Sequence, residues 1–371
     1  RNILLSLLRR ACPRAEVVHV VPRSAAEKFA EFFAGHSYAT KVVDCPDYGD
    51  DDPVRWDRFL AGIRAAQYGC CVVDPGSLDL GAEHAARCGI GVRVGVASGG
   101  EDDRFLTVPV RLPLSALGPP DLLDYARGLA RVLGLPAPGP ADAVPPFRYR
   151  PVPVPELARP VVAVHPGGGK HWNRRWPLAR FGELGRVLAG AEGASLVLVG
   201  SADERADLCS LAEDVLAGVA GARVVVSAGE SLDRLASLLA RADVLVGNDS
   251  GPAHVAAALG TPTVVLYGPG VTEGLWARIY PRHYAVSHGH VCEPYGPLRD
   301  ANLMKCQFSC ELRYVSAAGP YPRCMSHIEV DEVYRAIRRQ LAHFPPGTAA
   351  GERASPGIVA QAGSADRVAA G

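Results

Sequence analysis

The sequence predicts an α/β protein with doubly wound parallel sheet, and it is long enough to form two domains. Short apolar runs typical of buried parallel strands alternate with stretches of helical character along most of the chain. Polar turns follow these runs directly, as in strand-turn-helix-strand units. The chain has 371 residues, of which 48% are hydrophobic, so it can fill two cores.

The first 133 residues are predicted to form an N-terminal α/β domain whose strands are separated by helices. The predicted strands are residues 17–21, 70–73, 92–96 and 107–110. Residues 121–133 are predicted as the last helix of this domain. The acidic run between Asp44 and Asp52 is interpreted as a solvated loop. Residues 134–160 contain nine prolines and are interpreted as an extended interdomain linker.

Residues 161–330 are predicted to form a second domain. Its clearest unit is a strand over 244–247, a polar turn over 248–252, a helix over 253–259 and a strand over 263–267. Residues 331–344 are predicted as a terminal helix. The segment 345–371 is rich in Gly, Ala and Ser and is predicted to be disordered.

The polar turn over 248–252 is the first candidate binding site. In doubly wound sheets, ligands bind beyond the carboxyl ends of the strands. The N-terminus of the following helix offers unpaired N–H groups and a partial charge of about +0.5, which suits a phosphate. Asp249 places a carboxylate beside this positive end, where it could cap the helix or hold a sugar hydroxyl. His254, in the first helical turn, is expected to point toward the same place.

Three blocks of the second domain resemble the heptosyltransferases, which build the inner core of bacterial lipopolysaccharide from ADP-heptose. The segment 249–254, Asp-Ser-Gly-Pro-Ala-His, matches the family signature together with the small-residue helix and strand that follow it. The strand ending in His-Pro-Gly-Gly-Gly-Lys at 165–170, with Asn-Arg-Arg-Trp-Pro at 173–177, agrees in order and spacing. The blocks at 195–204 and 231–242 agree as well. The likeness covers residues 160–270 and is looser on either side.

The resemblance implies two facing Rossmann-like domains, the GT-B glycosyltransferase architecture, and inverting sugar transfer without a catalytic metal. The donor-binding residues that it implies are Gly169, Lys170, Arg174, Glu204, Glu230, Asp249, Ser250, Gly251 and His254. The loop containing Lys170 would hold the donor phosphates together with Arg174, which stands where the family usually has Lys. That exchange keeps the charge and changes the geometry of phosphate recognition. Glu204, or Asp203 beside it, would hold the ribose, and the backbone at Glu230 would lie against the base.

The resemblance also locates the catalytic base, which in the family is an Asp in a loop after the first strand. This chain opens on the helix and second strand that follow that loop. We therefore expect the base about three residues before Arg1, outside this sequence. A base is needed because a sugar hydroxyl is a poor nucleophile at neutral pH. The alternative is a chain that lacks the base and is inactive.

Four of the ten cysteines cluster near the end of the second domain: Cys292, Cys306, Cys310 and Cys324. Four thiolates from a loop over 292–324 could form a tetrahedral zinc or iron site. Two disulfides and free thiols are the alternatives, and a cytosolic location disfavours disulfides. The bacterial autotransporter heptosyltransferases look similar in this region and hold an iron on four cysteines. The resemblance therefore implies a structural metal.

Several functional classes are disfavoured by composition and motifs. The formal net charge is zero, which gives no large basic surface for nucleic acid or membrane. No Gly-x-Gly-x-x-Gly follows a strand, which argues against a nicotinamide-dependent enzyme. Residues 167–170 do not form the Walker motif of a phosphate-binding loop. His283, His288 and His290 are interpreted as solvated loop residues rather than metal ligands. No transmembrane run or signal peptide is evident, so we expect a cytoplasmic protein.

The function predicted from these observations is that of an inverting glycosyltransferase using a nucleotide-diphospho-sugar, with ADP-heptose as the expected donor. Two alternatives stay open: a noncatalytic nucleotide-sugar-binding or scaffold protein on the same fold, and a GT-B-like sugar epimerase. The acceptor could be a glycan, a protein or a small-molecule sugar, because fold-level likeness does not settle the substrate. The oligomeric state is also open.

Overall fold

The chain divides between residues 148 and 149 into two units, and each contains parallel β-sheet with helices around it. The computed structural model describes residues 2–28, 39–47, 50–73, 81–97, 101–112, 120–144, 147–168, 174–268, 272–288, 313–316 and 319–347. The predicted linker, 134–160, spans the division between the units. None of the helices in these ranges is long and apolar enough to cross a membrane.

The first unit contains two short parallel sheets within its described residues. One pairs β1 (Val18–Pro22) with β2 (Lys41–Cys45), and the other has the order β3-β4-β5, formed by Cys70–Val73, Val92–Val96 and Val108–Val110. Its helices are α1 (Asn2–Ala11), α2 (Arg23–Lys28), α3 (Pro53–Ala65), α4 (Ala82–Arg87) and α5 (Leu122–Val132), with short 3-10 turns at Glu101–Phe105 and Pro140–Asp142.

Helix starts in this unit follow from capping residues in the sequence. The side chain of Asp52 accepts hydrogen bonds from the N–H groups of Val54 and Arg55, which starts α3. Asp52 also forms an ion pair with Arg55. The interpretation of the acidic run as a solvated loop is therefore wrong at both ends, because Asp44 lies in β2 and Asp52 begins a helix. Asp121 and Asp124 form a capping box at the start of α5.

The second unit is built on a six-stranded, all-parallel sheet. Its strands are β6 (Val161–His165), β7 (Ser195–Gly200), β8 (Arg223–Ala228), β9 (Val244–Asn248), β10 (Thr263–Tyr267) and β11 (His283–Ser287). They lie in the order β11-β10-β9-β6-β7-β8. Counted within this unit, that is the 3-2-1-4-5-6 order of the Rossmann fold, whose direction reverses between the first and fourth strands. The switch point therefore lies between β6 and β9.

Helices cover both faces of this sheet. They are α6 (Leu178–Ala191), α7 (Arg205–Gly218), α8 (Leu232–Arg241), α9 (Gly251–Ala258), α10 (Thr272–Trp276), α11 (Arg323–Ser326) and α12 (Val330–His343). This unit also contains a 3-10 turn at Ala202–Glu204 and an antiparallel hairpin of β12 (Arg313–Ser316) and β13 (Gly319–Pro322).

Alternate residues of each strand point into the cores on opposite faces of the sheet. Val162 and Val164 pack in the core that includes α6, α7 and α12, while Val161 and Ala163 pack in the core that includes α8 and α9. Burial on both faces explains why these strands are continuously apolar.

The extended segment that enters this sheet lies along α8. The N–H of Arg150 donates to Asp233 Oδ1 at 2.9 Å, and the N–H of Val152 donates to Ser237 Oγ at 3.0 Å. Val154 and Leu157 pack against the core on the same side. Hydrogen bonds and apolar contacts thus attach residues 150–157 to the second unit.

The prediction of an α/β fold is confirmed, and several elements have the predicted bounds. The strands at 70–73, 92–96 and 263–267 agree to the residue, while the first strand lies one residue later than predicted. The largest difference at the candidate site is α9, which begins at Gly251 rather than 253. Proline is tolerated in the first helical turn, where its missing N–H has no intrahelical partner, so Pro252 does not delay the start.

Candidate functional site

The candidate site lies where β6 and β9 end side by side at the switch point of the larger sheet. In the register of these strands His165 is opposite Gly247. A Cβ placed on Gly247 would lie 2.5 Å from the carbonyl oxygen of His165, so only glycine fits this close approach. The loop that follows β6 and the turn that follows β9 therefore leave the sheet as neighbours.

Asp249 follows β9 directly, and its side chain is buried. Its N–H donates to Leu266 O at 3.2 Å, which fixes the start of the turn. The N-cap of α9 is Ser250, in extended conformation and without a capping hydrogen bond from its side chain. The alternative that Asp249 caps the helix is therefore wrong. Its carboxylate is available for another role.

Three charged or polar side chains converge around this turn. Arg174 is 14% exposed and Asp249 is 4% exposed, and Arg174 Nη1 lies 3.6 Å from Asp249 Oδ2. His254 Nε2 lies 3.9 Å from Asp249 Oδ1 on the other side. The carboxylate thus lies between a guanidinium and an imidazole. Two opposite charges at this separation attract by roughly 4 kcal/mol at an effective dielectric constant near 20.

Several buried polar atoms at this place have no hydrogen-bond partner among the described residues: Arg174 Nε, Asp249 Oδ2 and Ser250 Oγ. Such atoms are rare in proteins, because leaving a buried polar group unpaired costs about 1–3 kcal/mol. Three of them in adjacent side chains indicate a site prepared for a polar ligand. A ligand would also have room here, since a Cβ added to Gly251 would have no atom of the described residues within 4 Å.

His254 is held in this group by a second contact. Its Nδ1 lies 2.8 Å from the hydroxyl oxygen of Tyr280. Burial lowers the pKa of His254; Asp249 opposes this shift and Arg174 adds to it. The imidazole is therefore neutral at neutral pH and has one N–H and one lone pair to offer.

Asn248, the last residue of β9, ties the site together and was not predicted from the sequence. It is fully buried. Its Oδ1 accepts a hydrogen bond from the N–H of Trp176 at 3.0 Å, and its Nδ2 donates to Pro166 O at 2.7 Å and to Gly167 O at 3.1 Å. One amide thus fixes the chain on both sides of the segment that contains the predicted phosphate residues.

Glu204, which follows β7, lies against the loop after β6. It ends the 3-10 turn after β7, is 9% exposed, and its Oε2 accepts the N–H of Ser201 at 2.8 Å. Burial raises its pKa, but the hydrogen bond from Ser201 and the neighbouring His165 outweigh burial, so the pKa is lowered overall. A Cβ on Gly167 would lie 2.0 Å from Glu204 Oε1. The ionised carboxylate thus lies directly against the loop after β6, whereas Asp203 is exposed.

Glu230 lies in the turn after β8 and is exposed. Gly229 before it has φ of +71°, a conformation that favours glycine, and its N–H donates to Gly200 O at 3.0 Å. This turn therefore lies beside the turn that carries Glu204. The ends of β6, β7, β8 and β9 thus bring together Arg174, Glu204, Glu230, Asp249, Ser250, Gly251 and His254 along one edge of the sheet.

Two groups of predicted residues fall wholly or partly outside the described residues. Gly169 and Lys170 lie outside them, as do Cys292, Cys306 and Cys310. Cys324 is described, and it is buried in the apolar core beside Met325 and Ile328. Within the described ranges no group of three or more His, Cys, Asp or Glu side chains could hold a metal. The four-cysteine metal site stays a prediction.

The interpretation of His283 as a solvated loop residue is wrong. It lies in β11, where its Nδ1 is 2.8 Å from Thr263 Oγ1 and its Nε2 is 2.9 Å from the Tyr267 hydroxyl. Burial, together with His254, lowers the pKa of His283 to about 3. Tyr284 and Val286, two residue types enriched in strands, were the available signal for a strand.

Comparison with known proteins identifies relatives of the chain. A family model described as glycosyltransferase family 9 (heptosyltransferase) matches residues 58–296, more than half of the chain. Lipopolysaccharide heptosyltransferase 2 of Escherichia coli K12 is 38% identical over 117 residues, which are 30% of this chain and 32% of that protein. The chain spans about a third of the length of the curated relatives that it matches.

Two solved structures share the fold. The E. coli ADP-heptose LPS heptosyltransferase II has a TM-score of 0.58 and 20% identity, and the match covers 92% of this chain and 94% of that chain. The E. coli heptosyltransferase WaaC with ADP has a TM-score of 0.60 and 19% identity, with 91% and 94% covered. At these identities the likeness shows the fold alone, which is GT-B.

Proposed function

Because the chain belongs to glycosyltransferase family 9, the heptosyltransferases, we propose that it transfers a heptose from ADP-heptose to an acceptor hydroxyl with inversion. The observation that carries this proposal is the group of unpaired buried polar atoms on Arg174, Asp249 and Ser250. They lie at the N-terminus of α9 and at the switch point, where doubly wound sheets bind nucleotides. A ligand with both anionic and hydroxyl groups would satisfy all three.

The diphosphate of the donor is assigned to Arg174 and the start of α9. A guanidinium can bind two phosphate oxygens at once, and the first N–H groups of a helix attract anions. The open space beside Gly251 lets a phosphate approach the backbone. Lys170, which lies outside the described residues, is proposed to add a second positive charge. As the sugar leaves ADP, these groups would stabilise the charge that develops on the diphosphate.

The hydroxyl groups of the donor are assigned to the two carboxylates. Asp249 Oδ2 lacks a hydrogen-bond partner among the described residues, and a sugar hydroxyl could donate to it. Glu204 is ionised and lies against Gly167, a position that suits the ribose hydroxyls. Glu230 is proposed to place its backbone against the adenine. The acceptor is proposed to be a glycan, protein or small-molecule sugar.

Donor selectivity and turnover test the proposal directly. The purified protein is mixed with ADP-heptose or with UDP-, GDP- or dTDP-sugars, with and without candidate acceptors, and release of the nucleoside diphosphate is followed by mass spectrometry. We expect selective, acceptor-dependent release of ADP. Donor binding without turnover by every acceptor would favour a noncatalytic binding protein, and a rearranged donor would indicate an epimerase. Failure to bind any of the four donors would overturn the assignment of Arg174 and Asp249.

A structural metal on Cys292, Cys306, Cys310 and Cys324, and a cytoplasmic location, are separate proposals that rest on the sequence. Four thiolates would form a closed site that stabilises the fold and takes no part in sugar transfer. Elemental analysis of the purified protein should find about one iron or zinc per chain, and its loss in Cys306→Ser would identify the ligands. A protein without either metal would favour free thiols or disulfides.

A further inference from the structure

Tyr280 contacts the candidate site from outside the motif that defines it. It lies between α10 and β11, 26 residues after His254, and its hydroxyl oxygen is 2.8 Å from His254 Nδ1. The rings of the two residues are 5.8 Å apart and tilted, so the contact is made through the hydroxyl rather than by stacking. No motif of the sequence points to Tyr280.

The surroundings of His254 distinguish its two neutral forms. With the proton on Nε2, the ring donates toward the carboxylate of Asp249, 3.9 Å away, and Nδ1 accepts from the Tyr280 hydroxyl. With the proton on Nδ1, the lone pair of Nε2 would face the carboxylate, and two acceptors would oppose each other. The first form turns an N–H toward the carboxylate and accepts from the Tyr280 hydroxyl, so neither contact places two acceptors against each other. Burial, followed by the charge of Asp249, raises the pKa of Tyr280, so its hydroxyl keeps the proton that it must donate.

The second imidazole nearby does not compete for this hydroxyl. The ring of His283 is 5.7 Å from that of Tyr280, but both of its nitrogens are already hydrogen bonded, to Thr263 and Tyr267. Among the described residues, the groups that act on the His254 imidazole include the carboxylate of Asp249, the guanidinium of Arg174, the Tyr280 hydroxyl and, beyond it, His283. Among these, Tyr280 makes the hydrogen bond to Nδ1.

We propose that Tyr280 is a positioning residue that fixes His254 as a neutral imidazole with its proton on Nε2, directed toward Asp249 and the donor. In this form His254 offers an N–H to a ligand without adding a positive charge beside Arg174. The identity of the ligand rests on the proposed function: Nε2–H would meet an oxygen of the nucleotide sugar. The tautomer itself does not depend on that function.

Two tyrosines on this side of the sheet provide a matched pair of variants. Tyr280→Phe removes the hydroxyl that contacts His254, and Tyr267→Phe removes the hydroxyl that contacts His283. The first measurement is ¹⁵N NMR of histidine-labelled protein without ligand, with the His254 signals assigned through His254→Gln. The chemical shifts of the two ring nitrogens report which one carries the proton. The second measurement is ADP affinity by calorimetry.

We expect Nε2–H in the unsubstituted protein, mixed tautomers in Tyr280→Phe and unchanged His254 signals in Tyr267→Phe. ADP binding should weaken about two- to tenfold in Tyr280→Phe, as expected for the loss of one neutral hydrogen bond, and stay nearly constant in Tyr267→Phe. A proton on Nδ1 in the unsubstituted protein would overturn the inference. So would equal His254 spectra in the two variants.

The proposed function and this inference can fail separately. An unsubstituted protein that shows Nε2–H but does not bind ADP would overturn the donor assignment and leave the role of Tyr280 intact. A protein that binds ADP but carries the proton on Nδ1 would do the reverse. If Tyr280→Phe does not fold, the spectrum of the unsubstituted protein still decides the tautomer.

Discussion

Replacing Gly167 by Ala tests the contact between the loop after β6 and Glu204. An added Cβ would lie 2.0 Å from Oε1, 2.4 Å from Cδ and 2.7 Å from Oε2 of Glu204. Carbon atoms in contact prefer separations of about 3.5–4.0 Å, so the carboxylate would have to withdraw by roughly 1.5 Å. That movement would break its hydrogen bond from the N–H of Ser201, which is 2.8 Å long.

The expected cost follows from this overlap. Adding a methyl group to a filled site costs about 1–3 kcal/mol, since neighbours shift or leave their preferred rotamers. If Glu204 moves, much of this cost should appear in ligand binding, where it corresponds to about a 5- to 150-fold loss of ADP affinity. If the loop moves instead, the cost should appear in the free energy of unfolding. Calorimetry with ADP and urea unfolding measure the two separately.

Gly190→Ala is the matched control in the same unit. Gly190 lies in α6, and a Cβ there would meet the methyl groups of Val219 at 3.9 and 4.0 Å, which is ordinary contact. We expect this substitution to raise the free energy of unfolding by about 0.5 kcal/mol, because alanine favours the helix over glycine. ADP affinity should not change.

A double-mutant cycle identifies the cause. With Glu204→Ala already present, Gly167→Ala meets no carboxylate, so its effect on ADP affinity should nearly disappear. The expected coupling energy is about 1–3 kcal/mol, the size found for residues in direct contact. Additive effects of the two substitutions would refute the reasoning, because they would mean that the two side chains do not compete for the same space.

Three further predictions concern other residues of the site. We expect Asp249→Asn to weaken ADP-heptose binding about tenfold, because the sugar would donate to the carboxylate, and not to weaken ADP binding, because the carboxylate repels phosphate; equal losses for both ligands in calorimetry would contradict this. Asn248→Ala should lower the free energy of unfolding, measured with urea, by about 2–3 kcal/mol, since it unpairs the N–H of Trp176 and two carbonyl groups. A loss below ~1 kcal/mol would argue against the role of Asn248 in holding the loop after β6. The folded-state pKa of His283, about 3, lies below its unfolded value of ~6.5, so between these pH values the unfolded state binds more protons. The free energy of unfolding is therefore highest above pH ~6.5 and should fall as pH drops toward ~3. The fall should be at most about 1.4 kcal/mol per pH unit. Urea unfolding from pH 8 to pH 4 should show a shallower slope in His283→Asn but not in the exposed control His343→Asn, and an unchanged slope in His283→Asn would show that this group does not titrate as described.

The sequence predicted the strands of the second unit well because they are buried on both faces. A strand such as β10 is an unbroken apolar run between turn residues, and its predicted bounds agree with the structure. The start of α9 was predicted two residues late, because Ser250 and Pro252 can each stand before or within a first turn. The turn after β9 could be identified as a candidate site since polar residues there interrupt the apolar pattern.

Contacts that depend on strand order could not be predicted in the same way. Asn248 contacts Pro166 across 82 residues, and this pairing exists only because β9 lies beside β6. Tyr280 and His283 meet the site from β11 and the segment before it, at the far side of β10. Hydrophobic periodicity gives the position of each strand along the chain, but not its neighbour in the sheet.

The charges of the site determine which part of a nucleotide sugar each residue would accept. Arg174 and the N-terminus of α9 attract phosphate, whereas Asp249 repels it and accepts hydrogen bonds. With His254 neutral, the imidazole adds no positive charge to offset the carboxylate. A ligand that carries only phosphate therefore meets attraction and repulsion within a few ångströms. A diphosphate joined to a sugar would direct its anionic part to Arg174 and its hydroxyl groups to Asp249, so on the proposed function this arrangement would favour the intact donor over the released nucleotide.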